Sequence, residues 1–323
     1  MVKDKTAKAF SQSFNPEATA FGRHETFPLR YSWLTKGVDA IDSNPNVFND
    51  DAATVKLGVG NNMVKAIRYW LLATRMAVRN EDGAIGLTDL GNLLIQGAPG
   101  RGVNNPLDKY LEDEGTLWLI HWLLATNSEL ATSWYWFFNH FHKRSFTAPE
   151  VNYALEQFVA EKVATNVASK TISNDAQVVL RMYSKVILDK KVSIEDALDS
   201  PLSLLNLVTP AADGKTYTSA LSDRGIPVGI FTFAVVDLLT LHNLTQVPIR
   251  DMIHNEYGPS LAAIFRLTES ALDRLLEQMV MAWPKHFELR ETAGIHQLHA
   301  LEPLDLNKVL KGHYASLDAE EAA

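Results

Sequence analysis

The most constraining stretch of this chain is residues 48–95, where local signals spell out two helices, a hairpin and the start of a third helix. Asn49-Asp50-Asp51 supplies the chemistry of a helix start, and residues 52–57 can make one short helix. Gly58-Val59-Gly60 then turns the chain, and Asn61-Asn62 is placed to cap a longer helix reaching Arg75. Within it Met63, Ile67, Trp70, Leu71 and Thr74 recur at helical spacing and would face a core. Lys65, Arg68, Arg75 and Arg79 fall on a different face if the helix runs that far. Glu81-Asp82-Gly83 marks a turn between two short extended runs within residues 78–87. Thr88 can then cap another helix through Ile95. Helix, glycine turn, long helix, hairpin and helix is the order of a winged helix-turn-helix.

Charge sharpens that expectation. The chain has a formal net charge of -8, yet residues 52–80 contain no Asp or Glu. A segment cleared of negative charge suits a helix laid against phosphates. Base readout would fall to Asn61, Asn62, Lys65 and Arg68 at the helix start, with Arg75, Arg79 and the upstream Arg23 adding DNA contacts. The same pattern also describes a solvated basic face on an ordinary helical domain, or a winged helix that grips a protein. Arg23 belongs to a dense block, residues 21–37, in which Phe27, Tyr31 and Leu34 would pack as the first helix. Pro28 would sit at its first position and Gly37 at its stop.

Beyond the glycine-rich run 97–102, the sequence reads as mainly α. Tryptophans 118, 122, 134 and 136 sit on apolar helical stripes, which read as core. Residues 209–214 read as loop. A later helix closing at Pro284, then a hairpin around Thr292-Ala293-Gly294, repeats the helix-then-hairpin order. The expected plan is a flexible arm (1–20), a winged-helix DNA-binding domain (21–100), a helical middle (105–224), a second winged-helix-like unit (225–310) and an acidic tail (311–323).

Several chemistries are excluded by what the chain lacks. With no cysteine there is no thiolate metal site, disulfide or thiol nucleophile. No phosphate-binding G-x-x-x-x-G-K-[ST] string occurs, and no nucleotide site is evident. The apolar runs 116–125 and 226–241 are short and interrupted by His121 and Asp237, so no membrane span is expected. The first residues lack the apolar core of a signal peptide, which predicts a cytoplasmic protein.

Carboxylates crowd one place. Asp108 and Glu112 are four residues apart and would share a helical face, with Asp113, Glu114 and His121 nearby. Such a set could hold Mg²⁺ or Mn²⁺ and make Asp108 and Glu112 catalytic in phosphodiester cleavage. Acid enrichment at a helix N-terminus, where the dipole favours it, explains the same residues without a metal. His140 and His142 are two apart, which separates them on a helix, and the locally basic run 139–144 suits phosphate contact or a plain helix end.

Three longer strings carry a family likeness: FGRHETFPLRYSWLTKG from Phe21, LGVGNNMVKAIRYW from Leu57 and LEDEGTLWLIHW from Leu111. With Asp199-Ser200-Pro201-Leu202 and Glu291-Thr292-Ala293-Gly294, they resemble a bacterial family long filed as a domain of unknown function. That family looks like the SspB-type DNA-nicking component of the single-stranded DNA phosphorothioation system. The resemblance implies DNA nicking in phage defence, beside a cysteine desulfurase, an ATPase and a sulfur-transfer enzyme as partners. It brings no catalytic residue with it. The absence of cysteine and of a phosphate-binding loop agrees with a DNA-directed role rather than sulfur transfer or ATP hydrolysis.

Overall fold

Local signals become local structure first. In the computed structural model, which describes residues 14–97, 105–185, 200–255, 258–292 and 294–321, helix α1 spans Tyr31–Ser43, α2 Ala53–Leu57 and α3 Asn61–Ala73. Residues 1–13 of the expected arm and 98–102 of the expected boundary loop lie outside the described residues. Gly58 ends α2 in the left-handed region (φ 65°), a conformation that costs glycine little. Strands β1 (Ala77–Arg79) and β2 (Ile85–Leu87) pair antiparallel, with Val78 opposite Gly86. Thr88 caps the helical turn Asp89–Gly91 by accepting from the Gly91 amide at 3.0 Å.

Gly37, expected to stop α1, lies inside it. A Cβ there would approach Leu71 Cδ1 to 2.4 Å and Ile67 Cγ2 to 3.0 Å. The glycine therefore lets α3 pack closely against α1, and helix propensity yields to packing.

The middle of the chain is mainly helical but includes a sheet. Helix α4 (Glu114–Ala125) is buried at every position from Gly115, and α5 covers Thr132–Asn139. Strand β3 (Ser145–Thr147) leads into α6 (Ala148–Lys162), and α7 follows at Ser169–Tyr183. Thr147 and Glu150 form a reciprocal capping box at the start of α6, with Pro149 in its first turn. Residues 209–214 are not all loop. Strands β4 (Thr209–Pro210) and β5 (Thr216–Thr218) form a hairpin, and β3 adds to it in the order β3-β5-β4.

The last part runs α8 (Val228–Leu241), β6 (Gln246–Pro248), α9 (Ile249–Ile253), α10 (Leu261–Phe265), α11 (Glu269–Ala282), β7 (Phe287–Thr292), β8 (Ile295–Ala300) and α12 (Leu306–Glu321). Its sheet order is β6-β8-β7, with Val247 and Leu289 both meeting Leu298. Residues 306–321 form a helix that packs on α8, burying Val309, Leu310, His313 and Tyr314.

A like order thus occurs twice in full: a strand, helices (two in the middle of the chain, three in the last part), then a hairpin whose second strand pairs with the first strand. Residues 31–87 contain it in reduced form. There the Pro45 carbonyl, between α1 and α2, accepts from the Ile85 amide of β2 at 3.2 Å, one rung where a third strand would lie. By packing, the chain divides into two units. One contains Pro16–Trp134 and Lys143–Ser219, and the other contains Tyr135–His142 and the chain from Ala220. Among the described residues no helix is long and apolar enough to cross a membrane.

Candidate nucleic-acid interface

Helix α3 presents a polar edge because its other side is fully committed. Ile67, Trp70, Leu71 and Thr74 are completely buried, and Val64, Ala66 and Tyr69 join them. The N-cap is Gly60 rather than an asparagine. Asn61 and Asn62 are the first two residues of the helix, exposed, and their side chains make no hydrogen bond among the described residues. Their amides are available at the positive end of the helix dipole.

Lys65 is exposed, with Nζ 3.8 Å from Glu25 Oε1, a loose and screened pair. Arg68 is half-buried, and its buried Nε has no hydrogen-bond partner. Burial, and then the charge of Arg79, hold the Arg68 guanidinium below the usual arginine range. Both causes favour an incoming anion: it would take up the unsatisfied donor and offset two like charges. Arg79 reaches this place from β1, outside the helix.

One further residue falls differently from the sequence expectation. Arg75 is not on the α3 face, because α3 ends at Ala73 and Arg75 turns left-handed (φ 58°). Its guanidinium donates to Thr126 Oγ1 at 2.9 Å, which ties the end of α3 to α4. Upstream, His24 is completely buried between Asp175 (Nε2 to Oδ1 2.9 Å) and the Tyr69 and Trp70 rings. Asp175 also accepts from Ser133 Oγ at 2.7 Å and from the Gly22 amide at 2.8 Å. This network fixes the 22–26 loop against α3, leaving its neighbour Arg23 exposed. The hairpin tip is not basic: Glu81 and Asp82 are exposed there.

The carboxylate group does not assemble. Helix α4 begins at Glu114, so Asp108 and Glu112 do not share a helical face. The Asp108 carboxylate is buried and engaged: it accepts from the Glu112 amide (2.8 Å), the Asp113 amide (3.0 Å) and Thr116 Oγ1 (2.6 Å). Glu112 and Glu114 are exposed, whereas His121 is completely buried with Nδ1 2.9 Å from the Tyr183 hydroxyl. Among the described residues no group of three or more His, Asp or Glu is placed to hold a metal ion. His142 lies beside His254, with ring centroids 5.4 Å apart. Burial, then the charges of Arg266 and His254, hold its imidazole below the usual histidine range.

A family model described as a protein of unknown function, DUF4007, matches residues 21–314. The chain belongs to the DUF4007 family. No curated protein matches its sequence. In fold, this DUF4007 chain is similar to a magnesium-ion-bound SspB crystal structure at TM-score 0.81 and 26% identity, covering 96% of this chain and 91% of that one. A second SspB crystal structure matches at TM-score 0.77 and 25% identity, covering 94% and 89%. The likeness is therefore to SspB over nearly its whole length, as the sequence strings implied. The magnesium belongs to that crystal. Asp108, Glu112, Asp113, Glu114 and His121 do not fit a magnesium site as a set, since Asp108 is engaged by three donors and His121 is buried against Tyr183.

Proposed function

We propose that this protein binds DNA through the start of α3 and acts as the DNA-nicking component of a bacterial DNA phosphorothioation and defence system. The observation that carries the DNA reading is the basic edge of α3 on an acidic chain: Asn61, Asn62, Lys65 and Arg68, with Arg79 and Arg23 beside it. In this reading residues 31–87 are a winged helix, α3 is its recognition helix, and the hairpin contributes Arg79 rather than its acidic tip. The two fuller repeats of the same strand and helix order would be winged-helix modules as well. Support for a place in the system comes from the likeness to SspB; nicking is what the family resemblance of the three sequence strings implies. Its other components, an ATPase and a sulfur-transfer enzyme, are the expected partners, in the cytoplasm.

A second reading is a non-catalytic adaptor that holds DNA or a partner protein. It is favoured by the engaged state of Asp108, which removes the best carboxylate candidate from catalysis. Two assays separate the readings. A mobility-shift titration on a short duplex should show binding that Lys65→Ala with Arg68→Ala weakens by tenfold or more, on the order of 1.4 kcal/mol. Supercoiled-plasmid conversion to the open circle, with and without a chelator, tests nicking and its need for Mg²⁺ or Mn²⁺. Binding without conversion by purified protein would leave the adaptor.

A further inference from the structure

The helix of the last module that corresponds to α3 has the opposite charge. The exposed residues of α11 include Glu269, Asp273 and Glu277, spaced by four, which aligns them in one row on the helix. At about 1.5 Å per residue the row runs for about 12 Å. None of the three carboxylates has an ion-pair or hydrogen-bond partner through its side chain among the described residues. The row borders a groove of about 700 Å³ between α9, α11 and the β7–β8 hairpin. Its apolar lining includes Ile249, Ile253, Leu289 and Ile295, all half-buried, over the buried Leu276.

The two arginines around the groove each sit beside a carboxylate of their own: Arg290 is held by Glu288 at 2.6 Å, and Arg250 Nε is 3.4 Å from Asp251. What remains is an aliphatic floor with an uncompensated negative edge. Phosphates would be repelled there, so DNA is the wrong ligand for this module. An amphipathic helix with apolar residues on one side and Lys or Arg repeating every four on its flank matches both features.

We propose that the α11 groove docks a cationic amphipathic segment of a partner protein. This goes beyond the DNA reading and does not depend on it. The probe is a synthetic sixteen-residue Leu/Lys amphipathic helix with lysines at i, i+4 and i+8, labelled for fluorescence anisotropy. Its counterpart carries Glu in place of Lys.

The full chain should bind the lysine peptide, and the variant Glu269→Lys, Asp273→Lys, Glu277→Lys should lose at least tenfold of that affinity while binding the glutamate peptide instead. A control reversing the exposed or half-buried Glu129, Glu156 and Glu161 should keep the lysine peptide within about twofold, ruling out mere attraction to an acidic protein. The proposal is overturned if both reversals weaken the lysine peptide equally, or if the α11 reversal has no effect. It is also overturned if truncation of residues 1–13, which contain Lys3, Lys5, Lys8 and Phe10, raises lysine-peptide affinity tenfold or more, since the groove would then be filled by the chain itself.

Discussion

Asp108 and Arg75 show how a side chain can carry the right chemistry and spend it on the fold. Asp108 accepts three hydrogen bonds, two from amides just before α4 and one from Thr116 in its first turn. Its replacement by alanine is expected to cost about 1.5–3 kcal/mol, read as a lower midpoint in thermal or urea unfolding. If Asp108 were instead catalytic, the variant would keep its stability and lose nicking alone. Arg75→Ala removes the bond to Thr126 and should cost about 0.5–1.5 kcal/mol of stability while leaving DNA affinity within twofold. A loss of DNA affinity at unchanged stability would return Arg75 to the interface. Neither role was legible in the sequence, because both depend on where a helix begins or ends, and spacing rules presume the helix. Arg68 was legible as a basic residue. Its buried, unbonded Nε was not, since that follows from packing and from Arg79 arriving on another element.

Elements with their own punctuation were readable. The Gly58–Gly60 turn, the Glu81-Asp82-Gly83 hairpin turn and the Thr88 cap each act within a few residues, and each formed. Elements that depend on distant partners were not. Strands β3 and β6 are three residues long and exist because β5 and β8, far along the chain, pair with them. Gly37 read as a helix stop for the same reason, since only α3 reveals what the missing side chain allows. Gly91 gives a sharper case. A Cβ there would lie 2.1 Å from the Met76 carbonyl oxygen, so the backbone must move. Gly91→Ala is expected to destabilise the 31–97 region by about 1–3 kcal/mol, detectable as faster amide exchange in β1 and β2 than in α8. Equal exchange in the two regions would mean that the contact relaxes freely.

Across the whole molecule, one order of strands and helices recurs with different surfaces. At the position of α3 in the first module the exposed edge is basic and amide-bearing, and in the last it is an unpaired acidic row beside an aliphatic groove. Fold alone does not set that difference. A few exposed positions do, on helices whose buried sides are similarly apolar. The three strings that carry the family likeness are rich in buried residues, among them Trp33, Leu34, Ile67, Trp70, Trp118 and Trp122. A reader of those strings learns the scaffold before the ligand.

Whether the α3 edge with Arg79 grips DNA phosphates is read from the salt dependence of duplex affinity. Wild-type protein should show log affinity falling linearly with log salt concentration. Each of Lys65→Ala, Arg68→Ala and Arg79→Ala should flatten that slope by about 0.9 if it removes one phosphate contact. The combined variant should bind weakly with a nearly salt-insensitive residue of affinity. An unchanged slope and affinity in the combined, folded variant would contradict the account.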